Sequence, residues 1–252
     1  MTPDLQLALQ LADAADAITM QWYRSADLAV RTKSDRSPVS EADEATERAL
    51  RDLIAAARPD DGILGEEFGT TGDFARRWIL DPIDGTKNYI RGIPVWATLI
   101  ALDVDGRGMV GVVSAPALGR RWWAARGEGA FCNGERLSVS RIATIEESHL
   151  SYDALPDFEK HGSSEAFLTL VRRCQRTRAF GDFWSHMLVA EGAIEIAIEP
   201  EGLGHWDAAP LQVIVEEAGG RFSTLSGEAR PDRGSAVTTN GAVHDAVLEL
   251  FQ

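Results

Sequence analysis

The sequence predicts an α+β fold in which helices pack on mixed sheets. Three features point there. Segments with apolar residues three and four apart alternate with short β-branched or aromatic runs, most clearly beyond residue 148. The chain has 252 residues, 44% of them hydrophobic and 25% charged, enough for one large core or two intimately packed halves. One apolar run, Trp78-Ile79-Leu80, passes directly into Asp81-Pro82-Ile83-Asp84-Gly85-Thr86, so a buried strand ends in two carboxylates. The expectation is a single domain over 1–252, its halves meeting near 140–150.

Residues 4–23 place Leu5, Ala8, Ala12, Ala15, Ile18 and Trp22 on one helical face. Residues 24–39, with Lys33, Ser34, Asp35, Arg36, Ser37 and Pro38, read as a mobile or hairpin-like loop. A helix from Ser40 to Ala57 would turn Ala45, Ala49, Leu53 and Ala57 inward, and Ser40-x-x-Asp43 reads as a variant capping box. After a turn at 59–62, Ile63-Leu64 forms a short strand ending in Gly65-Glu66-Glu67, with Glu67 facing outward or supporting its neighbour. Val95–Val104 and Met109–Pro116 flank Asp105-Gly106 as a hairpin, and Trp122–Ala125 is a further strand before the Asn133-Gly134 turn. Trp122, Trp123 and the glycine-rich 127–134 stretch are read as architecture, because no helix start follows those glycines. Strands at 149–152, 177–180, 194–198, 222–225 and 236–239 then alternate with helices at 164–174, 182–191, 207–219 and from 243. Asp182 after Gly181, and Asp207 before its helix, are also good N-cap residues, and Pro210 is expected in a first helical turn.

Charge and cysteine usage limit the function classes. With 25 Lys+Arg against 39 Asp+Glu the net charge is -14, which repels nucleic acid and anionic membrane. A phosphate ester would be repelled too, unless bound cations reversed the local sign. The 2 cysteines, Cys132 and Cys174, lie far apart without CxxC spacing, which disfavours zinc or a disulfide framework and fits the cytoplasm. No signal-like start or membrane-length apolar run is visible. The 5 histidines show no ligand spacing and read as surface or packed residues, His186 being the least secure of them because of its helix.

The chemistry centres on the 81–86 stretch. Pro82 biases Asp81 toward extended backbone, Gly85 permits close approach of a ligand, and amides at a following helix start would face an anion. Carboxylates and a carbonyl without His or Cys suit Mg²⁺. Asp81-Pro82-Ile83-Asp84-Gly85-Thr86 resembles the signature of the inositol-monophosphatase-like family of metal-dependent phosphomonoesterases. Pro38–Asp43, Gly65-Glu66-Glu67 and Trp206-Asp207-Ala208-Ala209 resemble its other motifs, so the resemblance covers most of the chain.

That resemblance implies a layered α-β-α-β-α sandwich and two or three Mg²⁺ ions on Glu66, Asp81, Asp84, Asp207 and the Ile83 carbonyl. It gives Asp43 and Thr86, with Glu66, the catalytic roles around an attacking water, and puts the phosphate on the Gly85 and Thr86 amides. It also implies a homodimer, for which the sequence carries no interface signal. Gly181-Asp182-Phe183-Trp184-Ser185 and Glu199-Pro200-Glu201 look like the histidinol-phosphate phosphatases of this superfamily. Arg178 would then support the site, and Asp182 and Glu199, or else Glu201, would meet an amine or ring beside Asp207. An anion and aromatic rings where inositol phosphatases carry small residues disfavour a neutral polyol. The expected activity is hydrolysis of L-histidinol phosphate. Inositol 1-phosphate or another small phosphate monoester is the alternative, and a regulatory protein that has lost turnover is the more distant one.

Overall fold

The computed structural model describes residues 1–33, 37–72 and 75–252. In chain order these form α1 (Pro3–Trp22), β1 (Val30–Thr32), β2 (Pro38–Ser40), α2 (Glu41–Ala57), β3 (Gly62–Gly65), β4 (Gly69–Thr71), β5 (Arg76–Asp84), α3 (Thr86–Ile90), β6 (Ala97–Val104) and β7 (Arg107–Ala115). There follow β8 (Arg120–Ala125), β9 (Gly129–Cys132), β10 (Glu135–Arg136), β11 (His149–Tyr152), α4 (Leu155–His161), α5 (Ser164–Arg173), β12 (Arg176–Arg178) and α6 (Asp182–Ala190). The last elements are β13 (Ile196–Glu199), α7 (His205–Glu217), β14 (Arg221–Ser223), β15 (Ala236–Thr239) and α8 (His244–Leu248).

Two sheets carry the architecture. An eight-stranded sheet runs β10-β9-β8-β7-β6-β5-β3-β4, and a five-stranded one runs β12-β11-β13-β15-β14. In the first sheet only β3 and β5 are parallel, and in the second β11 is parallel to both β12 and β13. Alternation along β5 and β6 separates two cores. Trp78, Leu80, Ile100 and Leu102 face α1 and α2, where they meet Leu11, Leu50 and Ile54. Ala97 and Leu99 face Phe183 and Met187 of α6 and Leu211 and Ile214 of α7. A third core joins Leu150, Ile196, Ile198 and Val237 of the second sheet to Phe158, Phe167 and Val247 of the outer helices. The layers are thus helix, sheet, helix, sheet, helix, the sandwich the sequence predicts. Each large apolar side chain so buried contributes about 1.5–3 kcal/mol.

Some local expectations need correction. The inward face of α2 is Ala42, Thr46, Leu50 and Ile54; Leu53 is exposed, since the two large residues Leu50 and Ile54 outweigh a stripe of alanines. Helix α4 and strand β4 were not expected, both being short and lacking a clear period. Among residues 24–39, Val30 pairs with Ser40 and Thr32 with Pro38, so a hairpin is present, while Ser34, Asp35 and Arg36 lie outside the described residues. Among the described residues no helix is long and apolar enough to cross a membrane.

Candidate active site and metal centre

The site is built at the end of β5. Asp81 lies two residues beyond Ile79, whose face packs on Ala209 and Trp206 of α7, so regular alternation aims Asp81 at that helix. Asp84, three residues on, would face the other side of an unbroken strand. Instead Asp81 pairs with Leu99 and Asp84 with Ala97, three steps on β5 against two on β6. This bulge returns Asp84 to the face of Asp81. Pro82, with no N–H for the ladder, sits in the bulge, and its carbonyl accepts Thr98 Oγ1 at 2.8 Å. Asp81 Oδ1 accepts the Ile83 N–H at 2.9 Å.

Asp207 comes from α7. Its helix begins at His205, so Asp207 is the third helical residue rather than the N-cap, and its Oδ2 accepts the Gly204 N–H at 2.6 Å. Pro210 accordingly lies in the second turn, not the first. Asp81, Asp84 and Asp207 offer carboxylate oxygens that all lie within 4.8 Å of one another. Among the described residues no Lys or Arg pairs with any of the three. Burial, then Glu66, Asp207 and Asp84, push the Asp81 carboxyl well above its usual range. Burial, then Asp182 and Asp207, do the same to Asp84, and burial above all pushes Asp207 up to about 7.

Glu66 lies outside that three-carboxylate group. Its backbone N–H bonds to Leu80 O at 3.1 Å, which sets it beside Asp81, but its Oε1 takes Lys33 Nζ at 2.7 Å. Lys33 also holds Glu67 Oε1 at 2.7 Å, and the Glu67 side chain is buried rather than outward. Gly65 is required by packing: a Cβ there would stand 1.9 Å from Glu47 Oε1. That buried carboxylate accepts the Glu67 N–H at 2.7 Å and the Phe68 N–H at 3.2 Å, fixing the turn that carries Glu66.

On the other side, Thr86 Oγ1 is 3.0 Å from Ile83 O and 3.3 Å from Asp43 Oδ1. Asp43 is fully buried in the first turn of α2, where its Oδ2 accepts the Ser40 N–H at 2.9 Å and the Ser40 hydroxyl, the capping box of the sequence reading. Burial chiefly, with the charge of Glu66 adding, raises its carboxyl to about 6. Gly85 caps α3 at φ 78°, a left-handed conformation suited to glycine.

A cavity of about 150 Å³ opens from the carboxylates, lined by Asp84, Asp182, Phe183, Glu199, Leu203, Asp207 and Leu211. Asp182 is not an N-cap: Gly181 is, and Asp182 takes a left-handed φ of 47° with its Oδ2 on Asn88 Nδ2 at 2.8 Å. Burial, then Asp153 and Glu199, push its carboxyl up to about 7. The Phe183 N–H, beside it, donates to Asp84 Oδ2 at 2.8 Å, so the start of α6 holds both acids. Glu199 lines this cavity, whereas Glu201 lines another near the C-terminus. Arg178 is exposed on the edge strand β12 and lines a separate apolar groove with Phe180 and Leu188, so the structure does not bring it to the carboxylates. A roomier cavity of about 480 Å³, with Arg77, Arg126, His205 and Arg230, sits at the opposite end of β5; Arg126 is paired with Glu216 and Arg230 with Asp232.

Sequence reasoning missed Asn88 and the two partners of Glu199 and Glu66, His186 and Lys33. Asn88 had a local signal, since it lies one turn beyond Gly85, and His186 had one in its place on the helix that follows Asp182.

A model of the inositol monophosphatase family matches residues 1–252. A histidinol-phosphatase of Mycobacterium tuberculosis is 53% identical over 97% of this chain and 96% of its own length. A second histidinol-phosphatase, of Streptomyces coelicolor, is 51% identical over 97% of this chain and 95% of its own. Among solved structures, a Thermotoga maritima IMPase superposes with a TM-score of 0.88 at 32% identity, covering 99% of this chain and 97% of that one. The protein described here therefore belongs to the inositol monophosphatase family.

Proposed function

We propose that the protein hydrolyses L-histidinol phosphate to L-histidinol and inorganic phosphate in a Mg²⁺-dependent reaction. The observation that carries the reading is the convergence of Asp81, Asp84 and Asp207 within 4.8 Å, without a basic side chain among the described residues to neutralise them. Buried carboxylates so close repel strongly unless cations lie between them. The donor set is oxygen only, which fits a hard divalent ion, and the Lys33 ammonium already brings one positive charge to neighbouring Glu66. Two or three Mg²⁺ ions would be held by Asp81, Asp84, Asp207 and the Ile83 carbonyl, with Glu66 joining once Lys33 lets go. When bound, the ions supply neutralisation of phosphate charge and acidify a bound water.

The chain's own groups do the rest. The Thr86 hydroxyl lies between the Ile83 carbonyl and Asp43. With the carbonyl turned to an ion it would donate to Asp43, leaving its lone pairs for a water proton and orienting that water toward phosphorus. Asp43, raised to about 6, is suited to take up the proton near neutral pH. The amides at Gly85 and Thr86 hold phosphate oxygens at the start of α3. Water adds to phosphorus as the P–O bond to the alcohol breaks, and the alkoxide takes up one proton, equal in count to the one passed to Asp43, to leave as L-histidinol.

Asp182 and Glu199 set the leaving group. Two carboxylates in the cavity attract an ammonium or imidazolium and repel a second phosphate, which disfavours sugar bisphosphates and nucleotide bisphosphates. The two relatives named histidinol-phosphatase support the same choice. The test is phosphate release with Mg²⁺ from histidinol phosphate, inositol 1-phosphate, adenosine 3′,5′-bisphosphate and fructose 1,6-bisphosphate. Histidinol phosphate should give the highest kcat/KM, and equal or better rates with inositol 1-phosphate would overturn the substrate.

A further inference from the structure

Glu199 closes β13 and turns its carboxylate into the cavity, yet a glutamate left to itself there would sample several rotamers. One oxygen is fixed. Oε1 lies 2.9 Å from Nε2 of His186, a residue of α6 with no solvent exposure. The other face of that ring is fixed as well, with Nδ1 2.8 Å from Oγ1 of the fully buried Thr238 on β15. A carboxylate only accepts, so Nε2 carries the hydrogen shared with Glu199, while Nδ1 shares one with the Thr238 hydroxyl. The contacts run without a break from Thr238 through His186 to Glu199. Among the described residues no donor reaches Glu199 Oε2, which leaves that oxygen for a ligand.

His186 also stands four residues after Asp182, so one face of α6 presents one acid to the cavity directly and steadies the other. We propose that His186 is a positioning residue for recognition of the substrate's cationic end, acting through Glu199 and not touching the ester itself. This rests on the histidinol phosphate reading above. The bland account is that His186 is only a satisfied core residue, and a substitution pair separates the two. Glutamine can place an amide N–H where Nε2 stands, whereas asparagine reaches only the Nδ1 position and leaves Glu199 without its donor.

The experiment measures kcat and KM with Mg²⁺ on histidinol phosphate and on p-nitrophenyl phosphate, which has no cationic end. The proteins are wild type, Glu199→Gln, His186→Asn and His186→Gln, each with a melting curve. His186→Asn should raise KM for histidinol phosphate about tenfold with kcat within about twofold, the worth of one hydrogen bond to a charged group. It should leave p-nitrophenyl phosphate kinetics near wild type, while Glu199→Gln, which removes the acid itself, should raise KM for histidinol phosphate at least as much. His186→Gln should recover most of the loss. Equal losses on both esters, or glutamine no better than asparagine, would overturn the inference while leaving the activity standing. Wild-type protein that does not prefer histidinol phosphate would instead overturn the substrate reading and this inference with it.

Discussion

The two ends of β5 treat acidic residues in opposite ways. At its start Arg76 lies 2.6 Å from Asp4 and 3.0 Å from Asp61, and Asp61 also accepts Trp78 Nε1 at 2.9 Å. Burial pushes the Asp4 carboxyl up, but Arg76 and Arg58 outweigh it and hold it below the usual range. At its end Asp81 and Asp84 have further acids as their charged neighbours among the described residues, and burial together with those acids drives both well upward. One strand therefore carries an end whose counter-charge comes from the chain and an end whose counter-charge must come from something bound. The uncompensated end stores repulsion that a divalent cation relieves on binding.

The widest contrast comes from neutralising each end. Asp84→Asn or Asp207→Asn should cost at least about 10²-fold in kcat at saturating Mg²⁺, because an oxygen ligand becomes a weak neutral one. Metal-free, these variants should melt no lower than wild type, since a like charge has gone. Arg76→Ala should do the reverse, keeping kcat within about twofold while losing about 1 kcal/mol of stability. Comparable activity losses from all three would erase the distinction between the ends.

A smaller effect is expected where the site meets α2. Asp43→Asn and Thr86→Val should each lower kcat by roughly 10²-fold, as for one positioned proton acceptor. If they act as a unit through the 3.3 Å contact, the double variant is hardly worse than either single one. Multiplicative losses in the double variant would show that the two groups work separately.

How much of this was legible depends on how local the cause is. The buried strand, its two aspartates and the helix after Gly85 follow from adjacent residues and are legible in them. The bulge that turns Asp84 to the side of Asp81 depends on the register with β6, which no local pattern reveals. The same holds for Lys33 on Glu66 and for His186 on Glu199, where the partners come from different elements. The added N-cap role expected for Asp182 and Asp207 is not observed, because propensity marks a preferred residue type, while here Gly181 and Gly204 are the N-caps and both acids line the cavity. Arg178 was carried over by motif, and the edge position of β12 sends it elsewhere.

The uncompensated end should also show in stability against pH. Asp43 is held at about 6 and Asp182 and Asp207 at about 7, against about 3.9 for a free aspartate. Between those limits the folded protein keeps protons that the unfolded chain has released, so stability falls as pH rises through the window and levels off above it. Metal-free protein should therefore melt at least about 5 °C lower at pH 8 than at pH 5. Mg²⁺ binds the ionised cluster, and at a hundred times Kd it adds about 2.7 kcal/mol. Its stabilisation should be larger at pH 8 than at pH 5, and a pH-independent gain in melting temperature would argue that the ion sits elsewhere.

The finest test concerns Gly65, which lies between the two ends. Its missing side chain makes room for the Glu47 carboxylate, and Glu47 in turn holds the Glu67 and Phe68 amides and Arg51 Nε. An alanine there must displace Glu47, and the turn bearing Glu66 moves with it. Gly65→Ala should lose about 1–3 kcal/mol by overpacking. If Glu66 belongs to the ion-binding set, the Mg²⁺ midpoint for activity should also rise about tenfold, with kcat at saturation little changed. Gly69→Ala is the control, because nothing lies within 4 Å of a Cβ there and only the left-handed φ of 65° is strained. It should cost roughly 1 kcal/mol and leave the Mg²⁺ midpoint alone. Identical midpoints in the two variants would detach Glu66 from the ions and leave it as the partner of Lys33.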